Sequence, residues 1–178
     1  MSMKSLEDRR REVLEYLEKK FTDIEVPAKL SPKDENGVEV LGMILQDAAA
    51  KDKEALGEFF FMPVQEEDEI QFFVNLLTLT EELSVDHIGD LSTVVAAINT
   101  YISCGAFAID YAVKSLIYKC SYEMSVDADT DEMKDNADIS MGMAFQTVDQ
   151  YGSILLEVNE GKKTAKEVMN IFYKTALS

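Results

Sequence analysis

The sequence predicts an α+β domain built on a single largely antiparallel sheet with helices packed on one face. Three observations lead there. Apolar residues recur at helical spacing in four separate segments, they alternate with period two in several others, and within residues 99–122 the one period gives way directly to the other. The order of periods is helix, a run of strands, helix, two strands, helix, helix. Strands that follow one another through short turns pair antiparallel.

Residues 5–21 form the first helix: Leu6, Arg10, Val13, Leu17 and Phe21 share a stripe that Leu14 widens. Ile24, Val26, Ala28 and Leu30 then alternate with polar residues, and Pro27 inside that run marks an edge strand. S-P-K-D-E-N-G is a hairpin loop, and Val38 to Gln46 a second strand. The alanine-rich D-A-A-A-K-D-K-E-A reads as a polar crossover with room for a turn of helix. Phe59 to Val64 and Ile70 to Leu79 form a hairpin with the acidic tip Glu66, Glu67, Asp68 and Glu69.

Neither of those two runs alternates cleanly, so both faces of the sheet require cover. With Gln71 and Asn75 assigned to partial exposure, Phe72, Val74 and Leu76 take the helix-covered face. Phe73, Leu77 and Leu79 then point outward, on the same side as Leu41, Met43 and Leu45 of the preceding strand. These six are the candidate protein-binding residues, and the patch they form predicts a homodimer or a partner groove.

Ile88, Leu91, Val95, Ile98 and Ile102 mark a second helix, capped by Ser84 or Asp86 and ending at Gly105. A hairpin over residues 106–124 follows. Met133, Ala137, Met141, Ala144, Val148, Tyr151, Leu155 and Val158 mark a long third helix. Thr164 with Glu167 has the spacing of a capping box for a last helix over residues 162–178, with Ala165, Val168, Phe172 and Ala176 as its stripe. No repeat or linker divides the chain, which reads as one domain over residues 1–178.

Composition narrows the function. With 34 acidic against 17 basic residues, the surface repels phosphate backbones and anionic lipid, so nucleic acid and membranes are not expected partners. No apolar run reaches the roughly 20 residues of a spanning helix, and the charged first helix is unlike a signal peptide, which predicts a cytoplasmic protein. Cys104 and Cys120 are an even pair, but they lie in apolar-patterned segments and are expected as buried thiols rather than as a disulfide or redox pair. Arg9, Arg10 and Arg11 fan around the first helix with acidic residues at i,i+4 spacing, as on a solvated face.

Chemistry-bearing motifs are sparse. D-A-D-T-D-E-M-K-D-N-A-D, residues 127–138, puts Asp127, Asp129, Asp131, Asp135 and Asp138 at ligand positions of a calcium loop. Glu132 stands where that loop needs glycine, and a strand precedes it where a helix belongs. An acidic helix start accounts for the same residues. His87 is the sole histidine, at the start of a helix, and no glycine-rich phosphate loop or nucleophile elbow occurs. No catalytic residue, metal or cofactor is expected.

The segments A-A-I-N-T-Y-I-S-C-G-A-F-A-I-D and S-L-I-Y-K resemble the YbjN family, bacterial domains with the fold of type III secretion chaperones. Asn99, Gly105, Phe107, Tyr118 and Lys119 occupy the recurring positions, and F-Q-T-V-D-Q-Y-G-S-I-L-L-E-V, with Tyr151, is similar to the family's C-terminal helix. The resemblance spans about residues 5–160 and is weakest from Gly37 to Leu79. It implies a sensory-transduction regulator without catalytic residues. The chaperones of this fold are acidic homodimers that hold an extended partner segment. The expected function is therefore non-enzymatic protein binding, by chaperone-like capture or regulatory contact. The alternatives are a dedicated type III secretion chaperone, and an enzyme or calcium-binding protein using residues 127–138.

Overall fold

A computed structural model describes residues 4–65 and 67–176; Glu66 of the predicted acidic tip, and residues 177 and 178 of the predicted last helix, lie outside the described residues. Helix α1 (Leu6–Thr22) leads into strands β1 (Ala28–Leu30), β2 (Val40–Gln46), β3 (Glu54–Phe61) and β4 (Ile70–Thr80). A short 3-10 turn at Val85–His87 then opens α2 (Ile88–Asn99), followed by β5 (Ala106–Asp110), β6 (Ser115–Ser125), α3 (Thr130–Asn159) and α4 (Ala165–Ala176). All six strands form one sheet in the order β1-β2-β3-β4-β6-β5, and every neighbouring pair is antiparallel. The α+β architecture predicted from periodicity is the one found.

Local chemistry explains the element ends. Ser5 accepts from the Asp8 amide at 3.1 Å and starts α1, while Asp129 accepts from the Asp131 and Glu132 amides at 3.0 and 2.9 Å and starts α3. The capping box before α4 is real: the Thr164 amide donates to Glu167 at 2.8 Å, and the Glu167 amide donates to Thr164 Oγ1 at 3.3 Å. Ser84 makes no side-chain capping bond, and α2 stops at Asn99 rather than Gly105. The alanine-rich crossover is a tight turn between β2 and β3, with Asp47 and Asp52 both at positive φ and the Asp52 amide donating to Asp47 Oδ1 at 2.5 Å. That turn adds Glu54–Glu58 to the strand predicted to begin only at Phe59.

The helices lie on one face of the sheet. α3 crosses β4 and β6, α1 packs on β1 and α3, and α2 packs on β5, α3 and α4. One continuous core joins them, with Phe59, Phe73 and Tyr118 from the sheet among its largest fully buried side chains and Leu14, Leu17, Leu91 and Ile98 from the helices. Phe145 of α3 meets Phe59 and Phe21 edge-on at 5.9 and 6.1 Å. No helix among the described residues is long and apolar enough to cross a membrane.

The parity predicted for β2 and β4 is inverted. Leu41, Met43, Leu45, Phe73, Leu77 and Leu79 all face the helices and are buried, at 9% exposure or less. The error comes from two amides. Gln71 and Asn75 share parity with Phe73 and are both fully buried, because the interior gives them partners. Gln71 accepts from Arg10 Nε at 2.8 Å and donates to the Ser125 carbonyl at 3.0 Å, and Asn75 donates to Ser140 Oγ at 2.6 Å. Gln71 is thus bonded through both its oxygen and its nitrogen, which offsets its burial, whereas Asn75 keeps only the bond of its nitrogen and its buried Oδ1 has no hydrogen-bond partner among the described residues.

The arginine triplet is a solvated face only at Arg11, which is exposed and makes the expected i,i+4 pair with Glu15, while Arg9 and Arg10 are half-buried. Arg9 donates to the carbonyls of Val126, at 2.8 Å, and Ala128, beyond the end of β6. Arg10 reaches Gln71 and lies 5.4 Å over the Phe61 ring, and Arg11 pairs with Glu15 and Glu39 at 2.9 and 3.0 Å. Three consecutive positions thus tie α1 to different parts of the sheet. Desolvation holds the Arg10 guanidinium below its ordinary value.

Candidate functional site

Among the described residues, no further layer covers the face of the sheet away from the helices. On it β2 places Val40 and Ile44, β3 places Leu56, Glu58 and Phe60, β4 places Ile70, Phe72, Val74 and Leu76, and β6 places Ile117, Lys119 and Glu123. Ile44, Leu56, Met62, Ile70 and Phe72 each leave between 39% and 42% of their surface exposed. Val74, at the centre of the strip, is buried even so, at 1%.

The register lines these residues into rows across the sheet. Val40, Phe60, Val74 and Ser121 form one, Glu58, Leu76 and Lys119 the next, and Ile44, Leu56, Thr78 and Ile117 a third. The middle row is polar at both ends and apolar in the middle, with opposite charges either side of β4. Among the described residues neither Glu58 nor Lys119 makes a side-chain hydrogen bond or ion pair. This is a contiguous apolar surface with a charged row through it, of the kind that marks association.

The six predicted binding residues are brought together, but under the helices. The surface residues they displaced could have been found from β3. Read as a strand from Glu54, its alternation of Glu54, Leu56, Glu58 and Phe60 against Ala55, Gly57, Phe59 and Phe61 puts the acidic residues, and therefore solvent, on the parity of Phe60. Phe72 and Val74 follow from register.

The acidic segment 127–138 does structural work. Asp129 is the α3 cap, and Asp138 accepts from the Tyr16 hydroxyl at 2.8 Å and pairs with Lys20 at 2.7 Å, which binds α3 to α1. No group of three or more His, Cys, Asp or Glu side chains with metal-binding geometry occurs among the described residues. His87 sits with Lys53, Asn159 and Glu160 on the wall of an open cavity of about 800 Å³. Its ring is pressed against Gly161, where a Cβ would collide with Nε2. Lys53 there is already paired with Glu160 at 2.8 Å, and Asn159 is committed to the backbone of Ser84 and Glu82 at 3.0 and 2.9 Å. These groups brace the β4–α2 connection.

At the other end of the sheet, Asn99 closes the edge strand. Its Nδ2 donates to the Phe107 carbonyl and its Oδ1 accepts from the Phe107 amide, both at 2.9 Å, as a neighbouring strand would. Gly105, at φ +73°, leaves room for the Tyr118 ring, whose hydroxyl donates to the Cys104 carbonyl at 2.7 Å. Burial raises the Tyr118 hydroxyl's pKa well above its ordinary value. No protein-family model matches the chain, and no curated protein matches it either.

Proposed function

We propose that this chain is a non-enzymatic protein-binding domain that self-associates through the uncovered face of its sheet. The observation that carries the proposal is the half-exposed strip of Ile44, Leu56, Phe60, Phe72 and Leu76, which water leaves unsatisfied. The occupant that fits is a second copy. A twofold axis lying between two stacked sheets and running along β4 carries Glu58 of each copy over Lys119 of the other. It sets Leu56 over Ile117, and places Val74 and Leu76 against their own counterparts. Both unpaired charges gain partners in one step. The resemblance to YbjN proteins and to secretion chaperones points to the same class of role, in which a dimer makes regulatory contacts or holds a partner segment.

The test is oligomeric state by sedimentation equilibrium across micromolar concentrations. The wild type is expected to dimerise, and Glu58→Lys or Lys119→Glu alone to weaken the dimer at least several-fold. The double reversal is expected to restore it, since it preserves every cross-copy pair. A monomeric wild type overturns the proposal. A dimer indifferent to the single reversals but abolished by Phe72→Asp keeps the face and overturns the axis.

A further inference from the structure

Cys104 and Cys120 come from different elements, the turn after α2 and the middle of β6, yet their sulfurs face each other 2.7 Å apart. Two features aim them. Gly105, opposite β6, has no side chain to separate the turn from the strand, and a Cβ there would collide with Tyr118 and with the Lys119 carbonyl. The Tyr118 hydroxyl holds the Cys104 carbonyl, which fixes the backbone from which the thiol projects. Ala106 pairs with Lys119 in register, so the chain entering β5 already runs alongside β6 where Cys120 stands. The two thiols are free in this structure, Cys120 buried and Cys104 partly exposed.

We infer that Cys104 and Cys120 form an oxidation site that closes to an internal disulfide on reaction with a small-molecule disulfide such as oxidised glutathione. The partly exposed Cys104 reacts first. Its sulfur attacks one sulfur of oxidised glutathione, forms a mixed disulfide and releases one glutathione, which takes the Cys104 proton. Cys120 then attacks Cys104 Sγ, and the bond to glutathione breaks as the internal bond forms. The second glutathione leaves with the Cys120 proton, so two protein thiols are oxidised while one small disulfide is reduced to two thiols. Burial and the neighbouring thiol push the Cys120 thiol up to about 12. A buried thiol of that kind resists direct attack by a bulky oxidant and reacts only with a sulfur already delivered beside it. The internal bond would staple the α2–β5 turn to β6 beside the Asn99 cap.

Intact-mass measurement after equilibration in oxidised glutathione tests this, with thiols counted under denaturing conditions. The wild type is expected to lose two hydrogens and both thiols together, with no glutathione adduct accumulating. Cys120→Ser should instead accumulate one glutathione on Cys104, and Cys104→Ser should leave Cys120 unmodified while the protein stays folded. Two titratable thiols remaining in the wild type, or a stable glutathione adduct on it, overturns the inference. The wild-type result decides the matter even where a variant fails to fold.

Discussion

Asn99 offers a test of how this sheet ends. Its amide makes two hydrogen bonds to one residue, giving the Phe107 carbonyl and amide the partners they would have inside a sheet. Asn99→Ala removes both, and at about 1 kcal/mol net per neutral bond the loss is about 2 kcal/mol. For a chain of this size that lowers the melting temperature by about 4–8 °C. Asn99→Asp separates the two bonds. The carboxylate still accepts from the Phe107 amide, but at neutral pH it sets an oxygen against the Phe107 carbonyl. Only the protonated acid can donate there, so the folded state raises this carboxyl above its unfolded value of about 3.9. The contribution is complete below the unfolded value and is lost as pH rises through the folded one. Urea unfolding by circular dichroism should rank Asn99→Asp above Asn99→Ala near pH 4 and remove that advantage near pH 7. Carboxylates common to both variants cancel in the comparison. An Asn99→Ala protein within about 0.5 kcal/mol of wild type, or a ranking independent of pH, would refute the edge-capping role.

Two further outcomes follow. Phe73 is fully buried with its ring 5.0 Å from Phe61, so Phe73→Asp adds a buried unpaired charge to a truncation that itself costs about 3–5 kcal/mol, and circular dichroism should show an unfolded chain; native spectra from that variant would restore the outward assignment of Phe73. In reductant, stability should fall as pH rises from about 9 towards 12, because burial raises both the Cys120 thiol, to about 12, and the Tyr118 hydroxyl, so the unfolded chain loses these protons first; Cys120→Ala should flatten that slope in urea titrations, and an unchanged slope would exclude the thiol as its source.

The fold was legible in the sequence because burial in helices and strands leaves periodic traces. The stripe through Val13, Leu14 and Leu17 and the alternation through Leu116, Tyr118 and Cys120 both map onto fully or almost fully buried side chains. Which face of the sheet lies uncovered was not legible from β4 alone. A strand rich in apolar residues on both parities has only its polar members to orient it, and here Gln71 and Asn75 point inward to Arg10 and Ser140. Nothing in the spacing of Arg10 and Gln71, or of Asn75 and Ser140, announces those contacts. The same blindness set the cysteine pair aside in favour of two separate buried thiols, although Cys104 is only partly buried. Cys104 and Cys120 are separated by a turn, a strand and a second turn, and only the register of β5 on β6 sets their sulfurs together.

Charge supplies the last step. The basic residues near α1 are committed within the molecule: Lys20 to Asp138, Lys134 to Glu12, Lys33 to Glu7 and Arg11 to Glu39. A surface this acidic keeps unrelated acidic chains apart and, by the same repulsion, resists indiscriminate stacking of its own open face. Lys119 stands outside that arrangement, unpaired on the apolar face and level with Glu58 two strands away. Apolar area alone would favour any apolar partner in any orientation. In the proposed dimer the Glu58–Leu76–Lys119 row favours one, because a stack slipped sideways by one strand sets Glu58 against Glu58 with Lys119 left bare, and a reversed stack sets Glu58 against Glu58 and Lys119 against Lys119, each at the cost of like charges. In the dimer we propose, the strip would provide the affinity and the two charges would determine which surface it accepts.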